Sequence, residues 1–547
     1  MSRAHARRWA SAVVGLGSLL IGITIFRTSL TDDEPYSYAF GHRIVFDGNF
    51  VRPGPFEASK LPVLALAALP ERIGNWLGLD RRLAERALSL TALHTRERSY
   101  IVDNLPVYGG RLVTALFYLG IGVLVFAWGL EVYGPSGALG ATLLIAFLPT
   151  LLGHAAAATT DAAATFAVLA AVYALARGLL DPTIERILLA GLACGFALLT
   201  KYSAAALAPL ALIMVGIRTL TAEPIESKIR VAQAALSAVV LTGLVATVVL
   251  SAGFAFQHPL TNLNELACAS RVMQALRGWI GGVALPLPYE YLTGLDQVLQ
   301  QDQDRTAGGA VYLLGTLSEH GLPSFYLIAT ALKTPLPFLL LVLARPWRWH
   351  RRYTDLVWLA PIAWFAIEMS YGLNSQVGLR YLLPVFPFTA LLAGAAWDHG
   401  RPRRWRQLAT ALGVLAVIEA AWNCPHYLSY FNQLIGSRVN AYRYLADSNL
   451  DWDQARFELW RWEERQQPGT YFLDARYEPR AGLVVVRASE LVGVYDVATY
   501  RWLREANAHG TAHLIDSVGD AFLVFAVDPK VVLPATEAGQ KSGPPGE

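Results

Sequence analysis

Apolar runs of bilayer-spanning length dominate the chain. Residues 9–26 (WASAVVGLGSLLIGITIF) form the first, and others fall at about 108–130, 136–152, 161–180, 231–256, 324–343, 355–372, 381–397 and 407–423. Each is near the roughly 20 residues that cross about 30 Å of hydrocarbon. Two shorter runs, 186–200 and 203–217, flank Lys201 and Tyr202. At about 1.5 Å per residue each reaches only about 22 Å, which predicts a hairpin of two short helices. With that hairpin the pattern predicts about eleven spans.

Arginines set the expected orientation. Arg3, Arg7 and Arg8 precede the first run and no small-residue cleavage site follows it, so it reads as an uncleaved anchor with a cytoplasmic amino terminus. Arg186, the stretch Arg218 to Arg230, and the clusters at 345–352 and 401–406 then fall on the inside, and an odd number of spans places the carboxyl terminus outside. The fold class expected is mainly α, a polytopic transmembrane bundle of residues 1–424 with external loops at 27–107 and 257–323. Beyond residue 425 the long apolar runs stop. Strand-like stretches at 470–475 (TYFLDA), 482–488 (GLVVVRA) and 520–527 (DAFLVFAV) predict a small external α/β or α+β domain over 425–535. The polar residues 536–547 are expected to be disordered.

Composition narrows the class without changing it. Of 547 residues, 54% are hydrophobic and 16% charged, against about a quarter charged in soluble domains, as befits a multi-pass protein of the plasma or inner membrane surrounded by lipid. The 45 basic and 42 acidic residues are too balanced for a nucleic-acid surface, so no nucleic-acid partner is expected. Cys194, Cys268 and Cys424 lie far apart without metal-ligand spacing; only a Cys268–Cys424 bridge is open to them.

Ionisable side chains at membrane depth cost several kcal/mol and are paired, or face a wet cavity. Asp161, Lys201, Lys333 and Arg380 are of this kind, and all four can sit in the outer half of the bundle. Asp161 also reads as a first-turn carboxylate at a helix start, and Lys333 and Arg380 as snorkelling side chains or ion-pair partners of Glu368 or Glu419. Several cations around one cavity would instead hold a phosphate. Asp32, Asp33 and Glu34 follow the first span. Alone they read as a solvated acidic face, but PYSYAFGHRIVFDGNF behind them predicts an interfacial helix, and Lys60 then precedes a new apolar segment.

Those stretches carry a resemblance. TDDEPYSYAFGHRI resembles the acidic motif in the first external loop of the GT-C superfamily, ASKLPVLALAALP its lysine-proline motif, and GLACGFALLTKYSA its small-residue helix ending in threonine and lysine. LGTLSEHGLPSFYLIATALKTPLPFLLLVL and NSQVGLRYLLPVFPF are similar to its late-span signatures, and HYLSYFN with DSNLDWDQ to a motif pair of one bacterial branch. The nearest likeness is to glycosyltransferase family 39, the protein mannosyltransferases and aminoarabinose transferases. The resemblance implies a transferase with a polyprenyl-phosphate-linked sugar as donor and an active site on the external face. It implies Asp33 as the catalytic aspartate, Glu34 as its acidic neighbour, and Lys60, Lys201, Lys333 and Arg380 as phosphate-binding residues. Asp161, Tyr381, Asp447 and Asp451 are the further cavity candidates. Glu57 stands three residues before Lys60 rather than beside it as in the aminoarabinose enzymes, and Asp32 leaves the register of the base open by one residue.

The chemistry agrees with that assignment. A phosphate leaving group is already a stable anion that cations can hold, so one carboxylate within reach of an acceptor hydroxyl suffices as base. A single displacement inverts the anomeric centre. The acceptor, whether lipid, glycan or protein, is not indicated, and neither is any cofactor; the acidic run leaves a divalent cation open without supporting one. A transporter or flippase of a lipid-linked substrate is the alternative, although no internal repeat of the transporter kind is present.

Overall fold

The computed structural model describes residues 2–51, 60–79, 81–89, 91–305, 308–345, 352–398 and 400–532. Glu57, most of the basic cluster at 345–352 and the polar tail 536–547 lie outside the described residues.

Helices dominate, as the apolar runs require. The principal ones are α1 (Arg3–Arg27), α2 (Glu34–Asp47), α3 (Leu105–Ala146), α4 (Asp161–Leu180), α5 (Ile184–Leu198), α6 (Tyr202–Leu220), α7 (Lys228–Gly253), α8 (Arg271–Ile280), α9 (Phe325–Lys333), α10 (Leu336–Leu343) and α11 (Leu379–Trp397). Six of them, α1, α3, α4, α6, α7 and α11, are long and apolar enough to cross a membrane, seven spans if α9 and α10 count as one.

The remaining runs are shortened or kinked for local reasons. The runs at 108–130 and 136–152 are one 42-residue element broken at Gly134, whose φ of 72° precedes Pro135; only glycine adopts that conformation without strain, and proline then restarts the helix. The run at 324–343 bends by 116° between α9 and α10, where Pro335 and Pro337 bracket the break. The helix over 355–372 ends at Ile367 and passes into a π turn at Glu368–Gly372, and the 407–423 run begins at Arg403 with an arginine-rich turn. The expected hairpin is present as α5, only 15 residues long, and α6.

The carboxyl-terminal region carries a four-stranded sheet. Its strands are β1 (Tyr471–Phe472), β2 (Gly482–Arg487), β3 (Ala512–Val518) and β4 (Phe522–Val527), in spatial order β1-β2-β4-β3. The β1–β2 pair is parallel and the other two antiparallel. β4 reads FLVFAV without alternation and is buried along nearly its whole length, as a central strand covered on both faces must be. The helix Arg456–Glu463 packs Leu459 and Trp462 against Val485 and Val524. All three cysteines are free thiols, so the Cys268–Cys424 bridge does not form.

Candidate active site at the acidic loop

Residues 28–33 leave α1 as an extended turn and enter α2, so the three acids stand where the chain turns off the end of a span. Their environments differ sharply. Glu34 is fully buried and bidentate to Arg111: Nε donates to Oε1 and a terminal nitrogen to Oε2, both at 2.7 Å. The backbone N–H groups of Thr31 and Ala158 donate to the same carboxylate, each at 2.7 Å. Arg111 in turn donates to the carbonyls of Ile25, Thr28 and Ser29. With both oxygens doubly occupied, Glu34 fastens the loop to α3 and to the chain before α4. All four of its outward lone-pair positions are taken by these protein donors.

Asp32 and Asp33 look the other way. Asp32 accepts from Arg487 at 3.1 Å, and Arg487 also holds fully buried Asp451 through contacts of 3.0 to 3.2 Å. Asp451 is therefore the anchor that ties β2 to the acidic loop, not a cavity residue. Asp33 is partly exposed and accepts from Arg380 at 2.8 Å through Oδ2. Desolvation raises its pKa, but the Arg380 guanidinium and the Lys60 ammonium outweigh burial and hold it below the ordinary carboxylate range.

The cations converge around Asp33. Val63 N–H donates to the Leu199 carbonyl, which joins the buried Lys60 segment to the α5–α6 turn carrying Lys201. Gly41 lets α2 close on the same segment, since a Cβ there would stand 2.1 Å from the Leu64 carbonyl oxygen. Lys201 pairs with Asp161 at 2.7 Å and lies 4.5 Å from the centre of the Tyr381 ring. Asp161 occupies the first turn of α4, where Thr159 donates to it at 3.2 Å. It is thus both a helix-start carboxylate and an ion-pair partner. Arg380 stacks 4.1 Å from the Trp452 ring centre, with Tyr381 on its other side at 5.5 Å. Neither Glu368, which accepts from Trp364, nor Glu419, which accepts from Tyr430, reaches Arg380.

Lys333 sits apart from this group. It is buried at the carboxyl-terminal end of α9, donates to the carbonyls of Leu428 and Asn449, and lies 4.8 Å from the Phe431 ring centre. Lys333 and Arg380 line a small pocket with Thr150, His154, Tyr427 and Asn449. Thr150 Oγ1 and Arg380 Nε are buried there without a hydrogen-bond partner among the described residues.

One segment touches every part of this arrangement. The carbonyls of Trp452, Asp453 and Gln454 accept from Asp32, from the Ser29 hydroxyl and from Ser29 N–H. Asn449 Oδ1 accepts from Leu379 N–H, beside Arg380, while Ser448 donates to the Val377 carbonyl. The two strands pass so close that a Cβ on Gly378 would lie 2.3 Å from Ser448 Oγ. Asp447 has a φ of 57° and accepts from Ser448 N–H at 2.6 Å; burial pushes its pKa up to about 7 against the pull of Arg380. Neither Asp447 nor Ser448 caps the helix that follows, which starts after Ala455. Among the described residues, no three His, Cys, Asp or Glu side chains are arranged to hold a metal ion.

Sequence reasoning passes over Arg111, Trp452 and Arg487. Arg111 had a signal, because an arginine inside an apolar span requires a partner. The other two had none, since their roles come from contacts with distant segments.

A bundle of apolar helices with an ionic loop at one end defines an integral membrane protein of the polytopic kind. Residues 99–251 match the family model described as dolichyl-phosphate-mannose-protein mannosyltransferase. The matched stretch contains Arg111, Asp161 and Lys201 but not Asp33 or Arg380. No curated protein matches the chain. Among solved structures, ArnT from Cupriavidus metallidurans bound to undecaprenyl phosphate is 12% identical with a TM-score of 0.44, over 96% of this chain and 99% of that one. Apo ArnT from the same organism scores 0.29 at 14% identity over 97% of this chain and 100% of that one. The archaeal oligosaccharyltransferase AglB from Archaeoglobus fulgidus, in complex with an inhibitory peptide and a dolichol phosphate, is 15% identical with a TM-score of 0.45, over 80% of this chain and 57% of that one.

Proposed function

We propose that the protein is an inverting glycosyltransferase that moves a sugar from a polyprenyl-phosphate carrier to an acceptor hydroxyl on the external face of the membrane. The observation that carries this reading is the placement of Asp33: a partly exposed carboxylate at the end of a span, in contact with Arg380 and in the field of Lys60. The family match in residues 99–251 supports a lipid-phosphate sugar donor.

In the reaction Asp33 takes the proton from the acceptor hydroxyl. The acceptor oxygen forms its bond to the anomeric carbon as the bond from that carbon to the phosphate oxygen breaks. The polyprenyl phosphate leaves as an anion, held by Arg380, Lys60 and Lys201. Oδ2 of Asp33 is engaged by Arg380, so Oδ1 receives the proton. Arg380 carries both duties: its Nε has no hydrogen-bond partner among the described residues, and its guanidinium lies close to the Trp452 and Tyr381 rings. Lys333 lines a small pocket together with Arg380. Asp447 faces the site from the carboxyl-terminal side as an acceptor-side group. The same reading places the sheet of residues 471–527 outside.

Asp33→Asn keeps the shape and removes the base. Turnover of a radiolabelled polyprenyl-phosphate sugar should fall by roughly 10² to 10⁴, while binding of a polyprenyl phosphate, measured by calorimetry in detergent, persists. Undiminished transfer by Asp33→Asn would exclude this mechanism, and loss in Asp32→Asn instead would move the base by one residue.

A further inference from the structure

Helix α8 exposes an apolar face that nothing among the described residues covers. Val272, Leu276, Trp279 and Ile280 recur at helical spacing on one side and are all exposed, Trp279 by 85%. Arg271, Gln274 and Arg277 occupy the opposite arc, which makes the helix strongly amphipathic. The helix is itself well made: Ser270 caps it by accepting from Met273 N–H at 3.2 Å, and Asp296 secures the turn before it by accepting from Ala269 and Ser270 N–H. The exposed face is therefore not a frayed end.

What meets this face is indicated by the chain leading into it. α7 presents Leu236, Val240, Leu244 and Val248 outward along one stripe; in a 26-residue helix long and apolar enough to cross a membrane that stripe is the lipid-facing surface. Beyond the end of α7 the exposed apolar side chains continue with Phe256 and Leu260, and then with α8. The apolar surface thus runs from the span onto a helix that carries tryptophan at its tip and arginines on its far side, the composition of a helix lying in a headgroup region. Its other flank packs inward, where Met273 joins Leu61, Leu199 and Tyr202, the immediate neighbours of Lys60 and Lys201.

We propose that α8 lies in the bilayer interface at the end of the bundle that carries the site, with Val272, Leu276, Trp279 and Ile280 immersed at the acyl boundary, and that it anchors there the segments bearing Lys60 and Lys201. This requires only that the chain spans a membrane and does not depend on the reaction proposed above. The test places a nitroxide at residue 279 or 274 of the full chain, with Cys194, Cys268 and Cys424 changed to alanine, in phosphatidylcholine/phosphatidylglycerol nanodiscs. At 279 relaxation by oxygen should exceed relaxation by a water-soluble nickel chelate, and at 274 the order should reverse. A second measurement leaves the cysteines intact: the difference in tryptophan fluorescence between the wild type and Trp279→Phe should be quenched by lipids brominated near the headgroup more than by lipids brominated near the chain ends. Free access of nickel at 279 would overturn the proposal by showing an aqueous face. Exclusion of both reagents, with no quenching, would overturn it by showing that another protein surface covers the helix.

Discussion

Glu34 provides the sharpest division between a structural and a chemical acid in this loop. Glu34→Gln preserves size but turns one oxygen into an amide that donates. Four donors point at the carboxylate, two from Arg111 and two from backbone N–H groups, so whichever way the amide turns, two of them lose their acceptor and face a donor. Each buried donor left unsatisfied costs about 1–3 kcal/mol, more for the guanidinium, and breaking a buried pair from one side costs roughly 3–5 kcal/mol. Arg111→Met should cost about the same, because it leaves the carboxylate with only its two backbone donors. The double variant should be less damaged than the sum of the singles by about 1–3 kcal/mol, since the pair is lost only once. Thermal or denaturant unfolding of purified protein in one detergent measures all four states of this cycle. The reasoning is refuted if Glu34→Gln unfolds like the wild type yet abolishes transfer, or if the two single costs add.

Further outcomes follow from the neighbouring contacts. Arg380→Ala should weaken binding of a polyprenyl phosphate by calorimetry, and Arg380→Lys should restore only part of it, because a lysine cannot hold Asp33 and a phosphate with one fork. For Asp447 the folded pKa of about 7 stands above the ordinary 3.8, so the folded state binds the proton more tightly; its contribution to stability is complete below about pH 4 and is lost as pH rises through 7. Asp447→Asn should therefore flatten the fall in stability between those limits, with its largest gain over the wild type near pH 8 in unfolding measured across pH. Arg487→Met should speed amide hydrogen exchange in residues 28–33 while leaving α4 protected, and Arg487→Lys should do so less.

The sequence made the membrane-spanning class legible because spanning length and low charge are properties of single segments. It also located the site region, since an acidic loop after a span and cations within apolar runs are anomalies wherever they occur. What it could not resolve was which acid faces which partner. Asp33 and Glu34 are adjacent and chemically alike, yet one is pinned by an arginine 77 residues away and the other meets an arginine 347 residues away. Bends inside a run were less legible: the 324–343 run turns by 116° between α9 and α10, which composition alone reads as one straight span. Lys333 ends the half-helix α9 at that bend.

The contacts between the acidic loop and residues 452–454 include one between Ser29 and Asp453, 424 residues apart. During synthesis at about 5–20 residues per second, the loop is made almost at once, but the carbonyls that accept from Ser29 and Asp32 exist only when more than four-fifths of the chain has been produced. Until then Glu34 can close on Arg111, while Asp32 and Arg380 lack their distant partners. A chain that ends between residues 423 and 447 therefore keeps every apolar helix described above but lacks the carbonyls that fasten the acidic loop. The loop's fastening is thus the last of these contacts that synthesis can supply, although the loop itself is among the first segments made.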